Sequence, residues 1–171
     1  MKWILFFFSS IAFAQPELQT VSLDLEQYVG KWYEIATIPQ SFQKNCVATT
    51  ATYTKRKDGD IDIINQCRFK TLDGTLKTAH GKAWVPDAQE PGKLKVRFFW
   101  PFSGKYWVLK VGPKYEYAVV GHPNRKYLWI LSRKTTLDQT IYEKLCQELK
   151  VQGYDLSTVK KTLQPAQADT P

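Results

Sequence analysis

The sequence predicts an all-β fold, an eight-stranded antiparallel up-and-down β-barrel with one C-terminal α-helix packed outside it. From residue 31 to residue 132 the apolar residues recur in short segments with a period of two, which is typical of half-buried strands. Hairpin signals such as Asp58-Gly59 and Asp73-Gly74 separate the segments. Each connection is too short for a parallel crossover, so neighbouring strands run antiparallel. Eight such strands can close into a small barrel that holds one ligand.

The predicted strands follow one another along the middle of the chain. They cover residues 31–38, 47–56, 61–68, 75–85, 93–100, 105–111, 115–121 and 126–132. The fifth strand alternates most clearly, because Lys95 and Arg97 lie on one face and only apolar residues lie on the other. The charged face belongs in water, which leaves the apolar face to line the inside of the barrel.

The same alternation predicts which side chains point into the barrel. A ligand pocket is mainly apolar and has a few placed polar groups, whereas the alternative for each aromatic residue is a filled core. Asn65 is the most informative residue of this kind, because a buried amide needs hydrogen-bond partners. The inward candidates are Tyr53, Ile63, Asn65, Val96, Phe98, Trp100, Trp107, Leu109 and Trp129.

The hydrophobic period changes after the last strand. Ile141, Leu145 and Leu149 recur every four residues, which predicts an amphipathic helix that Thr136 can cap and Gly153 can end. Both faces of the last predicted strand are apolar, so we expect this helix to cover its outer face. Residues 164–171 are rich in Pro, Ala and Gln, which predicts a disordered tail.

The first fourteen residues have the pattern of a signal peptide. Lys2 is followed by an apolar stretch, and Ala12-Phe13-Ala14 matches an A-x-A cleavage site, although a buried N-terminal strand is the alternative. The folded domain is then expected to cover residues 15–163. No cysteine lies near the cleavage point to accept a lipid. We therefore expect an exported protein, periplasmic or secreted, that is not lipid-anchored.

The composition is that of one soluble globular domain. The 171 residues are 43% hydrophobic and 14% aromatic, which argues against disorder, and no apolar run reaches the roughly 18 residues of a membrane-spanning helix. The net charge of +8 is scattered over the strands, so nucleic-acid binding is not predicted. His80 and His122 are isolated and no C-x-x-C pair occurs, so neither a metal site nor a cofactor is expected.

Several motifs, in a fixed order, resemble the lipocalin family, and within it the bacterial lipocalin and apolipoprotein D branch. The resemblance covers roughly residues 25–155. One departure occurs before the seventh strand, where Pro113-Lys114-Tyr115 replaces the usual Thr-Asp-Tyr. The matching segments include Gly30-Lys31-Trp32, Ala51-Thr52-Tyr53, Phe98-Phe99-Trp100-Pro101-Phe102 and Leu128-Trp129-Ile130-Leu131-Ser132-Arg133.

The resemblance implies structural roles for the residues of the first and last motifs. Gly30 and Trp32 belong to the G-x-W signature, and Arg133 matches the arginine of the last motif. A guanidinium stacks well on an indole and can donate to nearby carbonyls, so the Trp32–Arg133 pair is expected to plug the closed end of the barrel. Tyr53, Asn65 and Trp129 match positions that line the pocket in relatives. With Phe98, Trp100 and Trp107 they form the expected ligand site.

The three cysteines allow one disulfide and one free thiol in an oxidising compartment. The resemblance places Cys46 and Cys67 near the open mouth of the barrel, and we expect these two to pair. A regular hairpin at Asp58-Gly59 would set Cys67 opposite Thr50, so the chain before the second strand must fold back for the sulfur atoms to meet. The alternative is a bridge from Cys46 to Cys146, since the matching cysteine in apolipoprotein D is tied to the C-terminal region.

The resemblance also implies the function. We expect a protein that binds and transports or stores a small lipophilic ligand, a fatty acid or a lysophospholipid. The loops expected at the mouth carry a basic rim that suits an anionic head group and a transient contact with a membrane surface, although the alternative is that these cations only keep the loops soluble. The alternatives are a lipocalin-fold enzyme acting on a hydrophobic substrate and a protein-interaction module. An enzyme is not expected, because the sequence has no G-x-S-x-G elbow or metal cluster. The rim residues are Lys44, Arg68, Lys70, Lys105, Arg125 and Lys126.

Overall fold

One antiparallel sheet closes on itself to form the body of the molecule. Each strand pairs with the next along the chain from β2 to β8, β8 pairs with β1, and β1 pairs with β2, so the expected eight-stranded barrel is confirmed. The strands are β1 (Gly30–Thr37), β2 (Cys46–Lys55), β3 (Ile61–Phe69), β4 (Leu76–Trp84), β5 (Lys93–Phe99), β6 (Phe102–Val111), β7 (Tyr117–Gly121) and β8 (Leu128–Ser132).

The computed structural model describes residues 17–166. The predicted signal peptide, residues 1–14, lies outside the described residues, as do residues 167–171 of the predicted tail. Gln164, where that tail was expected to begin, donates hydrogen bonds from its side chain to the carbonyls of Glu34 and Thr49. Shortly before it, a ninth strand, β9 (Lys160–Lys161), pairs with β1.

Two apolar clusters lie on the two sides of the barrel wall. The inner cluster fills the barrel and includes Trp32, Leu94 and Val108. The outer cluster joins β8 to helix α2 (Gln139–Val151), whose Leu145 and Leu149 are buried. This is the expected packing of the helix against the last strand. Among residues 17–166 no helix is both long and apolar enough to cross a membrane.

The helix begins two residues later than the sequence predicts. Asp138, not Thr136, is the N-cap residue, and its carboxylate accepts a hydrogen bond from the backbone N–H of Ile141 at 3.1 Å. An aspartate in the cap position satisfies a free backbone donor and places negative charge at the positive end of the helix dipole. Thr136 instead contributes its carbonyl, which accepts a hydrogen bond from Ser132.

The predicted Cys46–Cys67 disulfide is present, with 5.4 Å between the two Cα atoms, and Cys146 is a free thiol. The expected register between β2 and β3 is wrong by one residue, because Thr50 lies opposite Gln66. The connecting loop spans five residues, 56–60, and is not a two-residue hairpin turn. A bulge then follows at Ala48, whose φ of 49° lies in the left-handed region, and it brings Cys46 opposite the end of β3.

One end of the barrel is closed by a helical turn, α1 (Leu25–Tyr28), and by a stacked cation. The guanidinium of Arg133 lies 3.6 Å from the ring centroid of Trp32, which is fully buried. Gly30 has φ +98° and lies so close to this guanidinium that an added Cβ would be 3.2 Å from Nη1. The Arg133 side chain donates to the carbonyls of Gln27, Tyr28, Val29, Lys31 and Tyr115.

Candidate functional site

Most inward side chains are fully buried at the closed end of the barrel and less buried towards the other end, which we call the mouth. Along β3, Ile61 and Ile63 are buried, but Asn65, the next inward residue towards the mouth, is half-buried. Along β5, Leu94 is buried, whereas Val96 and Phe98 are half-buried. The half-buried inner residues therefore line a cup, and the fully buried ones form its floor. Half-buried inner residues also include Ala51, Tyr106 and Trp129.

Asn65 supplies an unpartnered polar atom to the wall of this cup. Its Oδ1 is buried and accepts no hydrogen bond from any described residue. The residues opposite it are small, Ala51 on β2 and Ala79 on β4. Because a buried amide oxygen without a donor costs about 1–3 kcal/mol, this position favours a bound molecule that carries a donor.

Phe98 lies on the inner wall as predicted, over a glycine of the neighbouring strand. A Cβ added to Gly81 would stand 2.7 Å from two carbons of the Phe98 ring. Phe98 also packs with the inner cluster, while its neighbours Arg97 and Phe99 alternate to the outside. The Phe98 ring packed over Gly81 therefore forms part of the cup wall.

Three tyrosine hydroxyls meet below the cup. The hydroxyl of Tyr106 lies 2.7 Å from that of Tyr28 and 2.8 Å from that of Tyr53. Burial raises the pKa of Tyr53 to about 12 and the pKa values of Tyr28 and Tyr106 well above their ordinary value, so all three stay neutral. Three hydroxyl hydrogens share two hydrogen bonds, so one hydrogen has no acceptor within the triad.

Trp129 is half-buried on the inner face of β8, and a residue of the mouth holds its indole. Its Nε1 donates to Oε1 of Gln43 at 3.1 Å. Gln43 belongs to a 3-10 turn, Ser41–Gln43, in the loop between β1 and β2. The Nε2 atom of Gln43 donates in turn to the buried carboxylate of Glu34 at 2.9 Å.

Glu34 and Gln43 are not among the site residues that the sequence predicts. Glu34 is only 4% exposed, and burial raises the pKa of its carboxyl although hydrogen bonds from Thr162 and Gln43 oppose the rise. An acidic residue in a strand is usually directed to solvent, so its residue type argued against placing Glu34 inside the structure. The one feature of the sequence that favours a buried Glu34 is its position two residues after Trp32, which places both side chains on the same face of β1.

Two of the expected ligand residues point elsewhere. Trp107 belongs to the outer cluster with Leu145 and Leu149, so the prediction that it and Leu109 face inward is wrong. Trp100 does not share the inner wall with Phe98, because β5 ends at Phe99 after a bulge, and the indole is 82% exposed in the following turn. The structure thus brings Asn65, Phe98 and Trp129 to the cup, with Tyr53 beneath it.

The mouth combines cations with exposed apolar side chains. The rim lysines lie among loops that expose several large hydrophobic residues. Arg125 is directed away from the cup, because its Nε donates to the carbonyl of Gln152 at the end of α2 at 2.6 Å. Within residues 17–166 no group of three or more metal-ligating side chains occurs. The exposed apolar residues of the mouth are Phe42, Leu72, Leu76, Phe99, Trp100 and Phe102.

Comparisons with known proteins agree with this architecture. Residues 23–164 match the family model described as a lipocalin-like domain. The chain is 40% identical to temperature-induced lipocalin-1 of Arabidopsis thaliana in an alignment of 167 positions that covers 92% of this chain and 87% of that protein. It is 40% identical to the outer membrane lipoprotein Blc of Vibrio cholerae over 133 residues, 77% of each chain. The structure of insecticyanin from Manduca sexta matches with a TM-score of 0.69 at 24% identity, covering 90% of this chain and 87% of the other.

Proposed function

The chain belongs to the lipocalin family, and on that premise we propose that it binds a fatty acid or a lysophospholipid in the cup and transports or stores it. Members of this family bind small hydrophobic ligands. The observation that carries the proposal is the change in burial along the inner wall. Leu94 on the floor is 2% exposed, whereas Val96 and Phe98 on the same face of β5 are only half-buried. Apolar wall of this kind is stabilised when an acyl chain covers it.

The charge distribution supports an orientation with the acyl chain inside and the head group at the rim. Phe98 and Val96 offer an apolar wall within the cup, and the tyrosine hydroxyls below it stay neutral. A carboxylate or phosphate would lose its hydration there, but at the mouth it meets Lys44, Lys70 and Lys126. The unpartnered Asn65 oxygen gives the wall one acceptor, which the glycerol hydroxyl of a lysophospholipid can occupy and a fatty-acid carboxylate cannot.

The turn between β5 and β6 supports a transient contact with a membrane surface. Phe99, Trp100 and Phe102 are 78%, 82% and 77% exposed and lie within four consecutive residues. Arg97 and Lys105 flank them on the two strands. Aromatic residues that are bordered by cations suit the boundary between lipid head groups and acyl chains. Such a contact would let an acyl ligand move between a bilayer and the cup.

The disulfide supports export. Structural disulfides persist in the periplasm and outside the cell, whereas the cytosol keeps most thiols reduced. The Cys46–Cys67 bridge ties the β1–β2 loop to the end of β3 at the mouth. We therefore propose that this protein is periplasmic or secreted, and cell fractionation with non-reducing peptide mapping tests that proposal.

Ligand binding is tested with a pair of neighbouring substitutions. Phe98→Asp places a charge on the inner wall, whereas Phe99→Asp places the same charge on a side chain that is 78% exposed. We expect Phe98→Asp to abolish binding of oleate and lysophosphatidylcholine, and Phe99→Asp to leave binding in solution unchanged. Affinity should also rise about fourfold for each added CH₂ until the cup is full, since each contributes about 0.8 kcal/mol.

Binding is measured by tryptophan fluorescence and by native mass spectrometry on the same samples. Circular dichroism of both variants shows whether a loss of binding comes from unfolding of the protein or from the changed wall of the cup alone. If the unsubstituted protein forms no adduct and its fluorescence does not change with acyl chains of any length, the carrier proposal is wrong. Turnover of long-chain esters by the pure protein would support the enzyme alternative instead.

A further inference from the structure

The wall of the barrel is incomplete where β1 and β2 approach the mouth. These strands pair directly only from Gly30 to Tyr33 on β1, opposite Tyr53 to Thr50 on β2. Beyond that point residues 160–164, which we call the C-terminal segment, lie between the two strands. The segment therefore forms the seam of the barrel at the mouth.

Backbone hydrogen bonds join this segment to both strands. Lys160 and Lys161 pair with the end of β1, and the N–H of Thr162 donates to the Ile35 carbonyl at 2.9 Å. On the other side, the N–H of Ala48 in β2 donates to the carbonyl of Leu163 at 2.7 Å. A segment that is held mainly by such bonds at the surface can open without unfolding the rest of the molecule.

One buried carboxylate connects this seam to the loop at the mouth. Oε1 of Glu34 accepts a hydrogen bond from the Thr162 hydroxyl at 2.5 Å, and Oε2 accepts one from Nε2 of Gln43 at 2.9 Å. Gln164 also donates to the Glu34 carbonyl at 2.8 Å. Glu34 is 4% exposed, and no described cation forms an ion pair with it.

A side cavity of about 500 Å³ brings three lysines to the same surface as Glu34. Glu34 lines it, together with Lys44 of the mouth loop and Lys160 and Lys161 of the C-terminal segment. The mouth loop and the C-terminal segment both line this cavity, and the Glu34 carboxylate accepts a hydrogen bond from each of them.

Gln43 extends the link into the cup, and its orientation is fixed at both ends. Its NH₂ group donates to the Glu34 carboxylate, and its oxygen accepts from the indole N–H of Trp129 at 3.1 Å. Flipping the amide would set its oxygen against the carboxylate and its NH₂ against the indole N–H. Each side chain in this hydrogen-bonded series therefore fixes the position of the next one.

We propose that Glu34 and Gln43 are positioning residues that couple docking of the C-terminal segment to the shape of the ligand cup at Trp129. When the segment is docked, Glu34 holds Gln43, and Gln43 holds the indole against the wall. When the segment leaves the seam, Glu34 loses the Thr162 hydroxyl, and the mouth loop and Trp129 become free to move. The part of this inference that concerns ligand affinity rests on the proposed function.

The test compares two substitutions of Glu34. Glu34→Gln keeps both hydrogen bonds, because its amide oxygen can accept from Gln43 and its NH₂ can donate to the Thr162 hydroxyl. Glu34→Leu has a similar volume and makes neither bond. Thr162→Val removes only the hydroxyl and serves as a second, milder variant if Glu34→Leu does not fold. Gln40→Ala is the control, since Gln40 lies in the same loop but donates to the carbonyls of Ile38 and Lys126.

Two measurements without ligand report on the coupling itself. Amide hydrogen exchange follows Thr162 and Ala48, which donate across the seam. The indole N–H resonance of Trp129 follows the cup. We expect Glu34→Leu and Thr162→Val to accelerate seam exchange at least about tenfold and to shift the Trp129 resonance, while Glu34→Gln and Gln40→Ala leave both unchanged. If seam exchange accelerates and the indole resonance does not shift, or neither changes, the coupling does not exist.

A third measurement uses oleate as the probe. Coupling between sites usually changes affinity by about 5- to 150-fold, and we expect Glu34→Leu to weaken oleate binding within that range while Glu34→Gln does not. By reciprocity, saturating oleate should slow seam exchange by the same factor. Unchanged oleate affinity in Glu34→Leu would overturn the coupling to the ligand. If the unsubstituted protein binds no oleate, the proposed function fails, and the two ligand-free measurements still decide the coupling.

Discussion

The side chain of Arg133 shows how one residue can stabilise the closed end of the barrel. Its planar guanidinium covers the Trp32 indole and donates to five backbone carbonyls, from Gln27, Tyr28, Val29, Lys31 and Tyr115. A lysine keeps the charge but has neither the flat face nor the spread of donors. The arginine fork is therefore specific to this position.

Arg133→Lys is expected to lower the free energy of unfolding by about 1–3 kcal/mol, because partly buried carbonyls such as those of Tyr28 and Val29 lose their donors. The measurement is urea denaturation followed by circular dichroism. Arg56→Lys is the matched control, since Arg56 makes only exposed ion pairs with Asp58 and Asp62, and such pairs contribute little. Equal midpoints for the two variants would contradict the role assigned to Arg133.

The raised pKa of Glu34 predicts a pH dependence with a definite sign. Burial raises the folded-state pKa above the ordinary value of 4.5, so the folded protein takes up this proton at a higher pH than the unfolded chain does. Between the folded pKa and 4.5 the contribution of Glu34 to the free energy of unfolding therefore rises as the pH falls.

Glu34→Gln removes this proton uptake and keeps the hydrogen bonds. The difference in unfolding free energy between the unsubstituted protein and Glu34→Gln should shift in favour of the unsubstituted protein as the pH is lowered from about 8 to about 5. Denaturation curves at several pH values give this difference. Taking the difference cancels the exposed carboxyls with lowered pKa, such as Asp58 and Asp155. A difference that is independent of pH would show that Glu34 is not titrating in this window.

At this scale, sequence reasoning succeeded where alternation within one regular strand decides the direction of a side chain. Asn65, Phe98 and Trp129 were placed correctly on the inner face. Trp107 was assigned to the wrong face, although β6 alternates regularly from Tyr106 to Leu109. Both faces of this strand are apolar, because the outer cluster covers the face that carries Trp107 and Leu109, so alternation alone does not distinguish the inner face from the outer one. Glu34 was missed because its hydrogen-bond partners come from residue 43 and residue 162, and no local pattern brings these together.

The elements follow from local patterns more reliably than the contacts between them do. All eight barrel strands and the helix were predicted, since each has its own period and its own turn or cap signals. The two-residue strand β9 was not, because a pair of lysines has no periodicity, and only the gap between β1 and β2 makes it a strand. The length of the β2–β3 loop also escaped prediction, since the Asp58-Gly59 signal fits a two-residue hairpin turn as well as a longer loop.

The helix α2 offers a direct test of packing outside the barrel. Leu145 is 2% exposed and lies in the outer cluster with residues of β8, whereas Val151 at the end of the same helix is 85% exposed. We expect Leu145→Ala to lower the free energy of unfolding by about 2–5 kcal/mol, because it leaves a cavity. Val151→Ala should change it by less than about 0.5 kcal/mol. Chemical denaturation measures both, and similar losses would contradict the packing of α2.

The molecule as a whole concentrates its exposed apolar surface at the mouth. At the closed end lie the Arg133 guanidinium and the backbone carbonyls that it binds. At the mouth, by contrast, Phe42 is 70% exposed and Trp100 is 82% exposed. Because the net charge is +8, a surface that bears anionic lipids attracts the molecule from any direction. In the proposed membrane contact, we expect the aromatic turn to determine which end of the molecule meets the bilayer, with the cup facing it.

The exposed aromatic residues at the mouth and the positive net charge predict a membrane contact with two separable contributions. One is burial of the aromatic turn, and the other is the electrostatic attraction of the cations to anionic lipids. The double substitution Trp100→Ser/Phe102→Ser should lower partitioning onto anionic phosphatidylglycerol vesicles at least about tenfold, since each aromatic side chain loses apolar burial. Val151→Ser is the control, because it removes an equally exposed apolar side chain from helix α2. Vesicle co-sedimentation measures partitioning.

Raising the salt from about 0.02 M to about 0.5 M should weaken vesicle binding of the unsubstituted protein and of the double variant by a similar factor, because salt screens the cations and not the aromatic residues. If the double variant partitions like Val151→Ser, or if the salt effect disappears together with the aromatic residues, the aromatic turn and the cations do not act as separate components of a membrane contact.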